Sequence, residues 1–196
     1  MDKPMDIARS ELILGGQKSG KSRRAELLAR SWLAQSPANS AVLIATAQPW
    51  DEEMRERIAR HQVDRAERVP GMQTVEEPVQ LAEALAGCSQ PHTLVVVDCL
   101  TLWLTNLLMP AEKLKEKQAV AHDSRARIAM VLGAIENAAG PVVLVGNEIG
   151  LGVIPLGRET RSFVDALGRL NQDVAQICQR VTLMAAGLPL SLKGQP

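Results

Sequence analysis

The run Gly15-Gly16-Gln17-Lys18-Ser19-Gly20-Lys21-Ser22 sets three glycines, a lysine and a terminal hydroxyl at the spacing G-x-x-x-x-G-K-[ST]. That spacing lets a loop cradle phosphates with its backbone N–H groups. Gly15, Gly16 and Gly20 tolerate conformations that a Cβ resists, so successive N–H groups can turn toward an anion. A helix starting just after the loop adds about half a positive charge at its N-terminus. Lys21 would then meet the β- and γ-phosphates, and the Ser22 hydroxyl would hold Mg²⁺. The bland alternative is a glycine-rich turn that binds nothing. The flanks argue against it: apolar Leu12–Leu14 precedes the loop, and a helix-prone run from Arg23 to Ala34 follows.

Two further sites could act on that triphosphate. Leu94-Val95-Val96-Val97-Asp98 is an apolar strand ending in a carboxylate, which in a phosphate-loop fold lies near the loop and orients Mg²⁺ directly or through water. By itself Asp98 could equally be a turn residue closing a buried strand. His61 shares a helical face with Met54, Ile58 and Arg65 at i, i+4, i+7 and i+11. It could be a packed histidine on an apolar stripe. If it meets the triphosphate, its neutral imidazole can attack the α-phosphorus, forming a phosphoramidate and releasing pyrophosphate. Arg57, Arg60 and Arg65 would favour phosphate nearby and keep the imidazole neutral near pH 7. His92 and His122 have no comparable setting. Asn147-Glu148, at the end of another apolar run, should face the crevice at the carboxyl ends of the strands; a polar loop cap fits the same residues.

These residues need a sheet to position them. Apolar runs recur at Leu12–Leu14, Ala41–Ala45, Thr93–Val97, Val142–Val145 and Val181–Ala185. Strands apolar at every residue are buried on both faces, as in a parallel sheet covered by helices. Helical spacing lies between them: Asp51 to Arg68 with Asp51 as N-cap, Ala119 to Ala138, and Glu159 to Gln179 with a stripe of Phe163, Leu167, Leu170, Val174 and Ile177. Pro110 closes a leucine-rich turn, and Ala111 to Lys117 reads as a solvated loop or helix start. The alternation argues for one doubly wound α/β domain.

Composition excludes several classes. Lysine plus arginine equals aspartate plus glutamate at 22 each, with no basic block, so no nucleic-acid partner is indicated. With three Trp, one Phe and no Tyr, the chain lacks material for a base-stacking platform. Three scattered cysteines fit reduced thiols in the cytoplasm better than a disulfide framework or zinc site. Apolar stretches fall short of the ~20 residues that span a bilayer, so membrane insertion is not expected.

The combination resembles the bifunctional adenosylcobinamide kinase/adenosylcobinamide-phosphate guanylyltransferases of cobalamin biosynthesis. The matching stretches are residues 15–22, Ile44–Ala47, Asp51–His61, Thr74–Pro78, Val97–Leu108, Gly146–Pro155 and Arg161–Gln172. They follow the family's order from about residue 11 to 193. The later segments together are specific, whereas the phosphate loop is shared by many families. The resemblance implies a P-loop, RecA-like, mostly parallel sheet and a two-step reaction. The γ-phosphoryl of ATP or GTP goes to the aminopropanol hydroxyl of adenosylcobinamide. GMP from GTP then passes through a histidine to adenosylcobinamide phosphate, giving adenosylcobinamide-GDP.

The resemblance places the guanylylated histidine at His61, with Lys21 as the second catalytic residue. It implies nucleotide contacts at residues 15–22, at Ala45, Thr46 and Ala47, at Gln62, Val63, Asp64 and Arg65, and at Glu76 and Asp98. It also implies a homotrimer. Some relatives carry a second histidine beside the nucleophile; here the neighbours are Arg60 and Gln62. Residues 1–10 form a leader ahead of the family's usual start, with Met5 an alternative start. A relative restricted to guanylyl transfer, and a P-loop NTPase switch needing no nucleophilic histidine, remain open on the sequence.

Overall fold

A computed structural model describes residues 5–109 and 117–195. Six parallel strands form its centre: β1 (Ser10–Gly15), β2 (Ser40–Ala45), β3 (Gln73–Glu76), β4 (Thr93–Asp98), β5 (Val142–Val145) and β6 (Arg180–Ala185). An antiparallel edge strand, β7 (Leu188–Lys193), completes a sheet of order β3-β2-β4-β5-β1-β6-β7. The apolar runs predicted as strands lie within β1, β2, β4, β5 and β6. β1, β4, β5 and β2 are buried along nearly their whole length, as strands covered on both faces must be.

The helices are α1 (Lys21–Gln35), α2 (Glu52–Arg68), α3 (Leu81–Cys88), α4 (Leu100–Leu108), α5 (Lys117–Glu136) and α6 (Arg158–Ile177). The predicted N-cap of α2 forms: the Asp51 carboxylate accepts from the Met54 N–H at 2.7 Å. In α6 the middle of the predicted stripe, Leu167, Leu170 and Val174, is buried. One core joins α3 to α6 to one face of the sheet around Trp103, which is fully buried and donates its indole N–H to the Val79 carbonyl at 2.9 Å. A second core seats α1 on the other face.

One expectation changes. The leucine-rich turn before Pro110 is a helix, α4, because Leu100, Trp103, Leu104 and Leu107 repeat at helical spacing and are buried. Residues 111–116 of the expected loop lie outside the described residues, and Lys117 already begins α5. Ser10 belongs to β1, and residues 5–9 are tied to the fold: Asp6 pairs with Arg180 at 2.5 Å, and Arg9 donates to the Glu136 and Ala138 carbonyls. Arg180 in turn meets Glu11, a carboxylate 1% exposed inside β1 that also accepts from Arg24 and Thr182. A buried charge of this kind is tolerable only when so partnered.

Among the described residues no helix is long and apolar enough to cross a membrane.

Candidate active site

The phosphate loop joins the carboxyl end of β1 to the first residue of α1. Gly15 has φ 150° and Gly20, the α1 N-cap, φ 101°. A Cβ on Gly15 would lie 2.5 Å from the Met184 carbonyl oxygen and 2.6 Å from the Ser19 hydroxyl. Gly16 does not need its freedom: its φ is not positive, and nothing lies within 4 Å of a Cβ built there. Lys18 takes the left-handed conformation instead, at φ 56°. Gly15→Ala is therefore expected to cripple triphosphate binding, raising the KM for GTP by at least about tenfold, because backbone must move to admit the methyl. Gly16→Ala is expected to leave it nearly unchanged. Steady-state kinetics of the two variants side by side checks the pair.

Lys21 is buried, and its ammonium donates to the Gly16 carbonyl at 2.5 Å and to Ser19 Oγ at 3.5 Å. It thus lies across the loop, which also closes on itself through the Ser19 N–H, a donor to the Gly16 carbonyl at 3.3 Å. Gly16, Gln17 and Lys18 are exposed at the loop crest, Ser19 is buried, and Ser22 is half-buried in the first turn of α1. The turn between β6 and β7 closes over the loop through the Gly187 N–H, which donates to the Ser19 carbonyl at 3.1 Å.

Asp98 ends β4, half-buried, at the same edge of the sheet. It does not adjoin the loop strand directly: β5 runs between β4 and β1. Asn147-Glu148, left undecided on sequence, therefore occupies the middle of the site. The Asn147 N–H donates to Thr101 Oγ1 at 2.8 Å, and the Glu148 N–H donates to the Gly15 carbonyl at 3.1 Å.

The expected contacts at residues 45–47 are held by a network that sequence reasoning missed. Thr46 is fully buried; its hydroxyl accepts from the Cys99 N–H at 2.8 Å and donates to the Cys99 carbonyl at 2.7 Å. Asn106, on α4, donates to the carbonyls of both Thr46 (2.8 Å) and Pro78 (3.0 Å). One amide thus fixes the loops after β2 and β3 relative to α4. The signal available in sequence was an amide inside the leucine-rich run, a residue type that belongs there only with partners. Asn106→Leu keeps the branched shape and orphans both carbonyls. It is expected to cost about 2 kcal/mol and to lower Tm by roughly 4–8 °C in a thermal melt.

Helix α2 presents His61 as the spacing predicts. Met54, Ile58, His61 and Arg65 are half-buried, whereas Arg60, Gln62 and Val63 are exposed. The helix packs on α1, with Arg68 bonded to the buried Glu26 at 2.9 Å. It also meets β3: Gln62 Nε2 donates to Glu76 Oε1 at 3.3 Å, and Arg65 to Thr74 Oγ1 at 3.3 Å. Asp64 instead pairs along the helix with Arg68 at 3.1 Å. The structure so divides the expected residues into two groups at one sheet edge. Residues 15–22, 45–47 and Asp98 follow the ends of β1, β2 and β4, and His61 to Arg65 with Glu76 form a flank. The two groups meet in the sheet, where Ala45 of β2 lies opposite Glu76 of β3. The cysteines offer no rival nucleophile: burial raises all three thiols, Cys88 among them, Cys99 to about 11 and Cys178 to about 12.

Ser22 and Asp98 suit Mg²⁺ chemically. Both offer hard oxygens, and Mg²⁺ commonly takes one or two protein ligands, with phosphate and water completing its shell.

Comparison with known proteins finds relatives along nearly the whole chain. Residues 11–192 match the family model described as cobinamide kinase / cobinamide phosphate guanyltransferase. The chain is 46% identical over 190 residues to the bifunctional adenosylcobalamin biosynthesis protein CobP of Pseudomonas aeruginosa, covering 95% of this chain and 98% of that one. It is 34% identical over 187 residues to the bifunctional adenosylcobalamin biosynthesis protein CobU of Escherichia coli, covering 93% and 98%. Among solved structures, the flagellar accessory protein FlaH of Methanocaldococcus jannaschii superimposes with a TM-score of 0.51 at 10% identity, over 96% of this chain and 80% of that one, a likeness of fold alone. The chain belongs to the cobinamide kinase / cobinamide phosphate guanylyltransferase family, a family of bifunctional transferases.

Proposed function

We propose that this chain transfers the γ-phosphoryl of ATP or GTP to the aminopropanol hydroxyl of adenosylcobinamide. It then carries GMP from GTP on His61 to adenosylcobinamide phosphate. The observation that carries the reading is the pairing, at one sheet edge, of a phosphate clamp with a helix whose inward face holds a histidine.

In the first step, the loop N–H groups and Lys21 bind the triphosphate, and the corrinoid hydroxyl attacks the γ-phosphorus as ADP or GDP leaves. In the second, His61 attacks the α-phosphorus of GTP, forming an N–P bond as pyrophosphate leaves. The acceptor's phosphate oxygen then displaces the imidazole, giving adenosylcobinamide-GDP and free His61. Mg²⁺ held by Ser22 and Asp98 would neutralise charge on the phosphate oxygens. Ala45 to Ala47, Gln62 to Arg65 and Glu76 would surround the nucleoside. The reading extends to a cytoplasmic homotrimer.

GTP labelled at the α-phosphorus tests it. Acid-labile, alkali-stable label on the protein, discharged by adenosylcobinamide phosphate, is the expected result. Absence of label in the presence of Mg²⁺ refutes the guanylyl step. Transfer of γ-label from ATP to cobinamide tests the kinase step separately.

A further inference from the structure

We infer that the groove bounded by residues 148–155, α6 and the β6–β7 edge seats the corrinoid acceptor, an inference that rests on the transferase reading above. The groove encloses about 1050 Å³. That is the upper end of the roughly 300–1,000 Å³ usual for small-molecule sites, and far more than a hydroxyl-bearing fragment requires. It calls for a large ligand.

Its surface has two chemistries. Ile149, Val153 and Ile154 from the loop and Leu192 from β7 give it an apolar wall. Val153 and Ile154 are 97% and 77% exposed, unusual for aliphatic side chains set together at a surface. The same groove is lined by donors and acceptors: Arg158, Arg161 and Arg169 with Glu148, Asp165 and Gln172. A corrin is a broad apolar macrocycle edged with carboxamides, each offering an N–H donor and a carbonyl acceptor. Aliphatic side chains suit its face, and a rim of mixed polarity suits its edge. At the floor, Asn171 donates to the Asn147 carbonyl, while its Oδ1 has no donor among the described residues.

Position argues for the acceptor over a second copy of the chain. Leu14, which precedes the phosphate loop, and Glu148, which is bonded to Gly15, both line the groove. The groove is therefore continuous with the clamp, and an arm leaving its inner end arrives beside the loop. A surface for another subunit has no need of that continuity. The loop is also strapped in place: Arg161 donates to the Pro155 carbonyl at 3.0 Å.

Ile154→Glu and Arg169→Glu are the test, the first placing charge on the wall and the second reversing the rim. Both side chains lie at the surface, so folding should survive, which circular dichroism verifies. Equilibrium dialysis of cobinamide itself is expected to show Kd raised roughly tenfold or more. KM for cobinamide should rise in parallel, while labelling by GTP alone, which involves no acceptor, should persist with unchanged assembly mass. Unchanged Kd and KM in both variants overturn the groove and leave the transferase reading standing. A fall in assembly mass by light scattering also overturns it, assigning the surface to a second copy. If the wild type takes no label yet binds cobinamide in a way these variants weaken, the groove stands and the guanylyl reading falls.

Discussion

Replacing His61 by alanine is expected to abolish the guanylyl label and lower overall formation of adenosylcobinamide-GDP by roughly 10⁴-fold or more, as loss of a covalent nucleophile does. The kinase half is expected to continue, because phosphoryl transfer to a hydroxyl uses the loop and no histidine. The split between halves is the informative part. A packing role for His61 would predict a modest stability loss shared by both activities, since the residue is only half-buried and its neighbours Arg60 and Gln62 are exposed. His61→Asn sharpens the contrast: it retains a polar, planar side chain but supplies no nucleophilic nitrogen. Label lost in both variants with γ-transfer preserved supports the nucleophile. Parallel decline of both half-reactions in step with Tm refutes it.

How much of this was readable beforehand follows from the range of each signal. The phosphate loop was legible because its chemistry is local: glycines, lysine and serine at fixed offsets define the backbone they need. The α2 N-cap and the inward face of His61 were legible for the same reason, being set by periodicity within one helix. What escaped depends on distant partners. Glu11 reads as a surface carboxylate until Arg24, Arg180 and Thr182 surround it. β7 was missed because Leu188, Leu190 and Leu192 alternate with other residues but remain exposed at an edge, beside a proline tolerable only there. Asp98 was rightly placed at the carboxyl edge, yet only strand order could show that β5, with Glu148, intervenes. Asn106 carried no motif of its own, and its role exists only where two loops converge on it.

Lys21→Met is expected to depress both half-reactions together, the signature that separates a shared clamp from a step-specific residue. The substitution keeps an unbranched, buried chain at the first position of α1 and removes only the ammonium. At an effective dielectric constant of about 20, a unit charge 4 Å from a phosphate oxygen contributes roughly 4 kcal/mol. Its loss corresponds to about 10³-fold in each rate, in line with removal of one preorganised charged donor elsewhere. Part of the effect should appear as a raised KM for the triphosphate, since the charge also stabilises the ground state. Lys21→Arg is not expected to rescue it. The ammonium is confined between the Gly16 carbonyl and Ser19 Oγ, and a planar guanidinium fork needs more width than that site offers. The measurements are single-turnover labelling of the protein from GTP and γ-transfer to cobinamide, each at saturating nucleotide. If Lys21→Met lost γ-transfer to cobinamide while the protein took guanylyl label at the wild-type rate, the two reactions would not share one phosphate clamp. A second triphosphate site would then be required near His61, on the Glu76 side of the sheet.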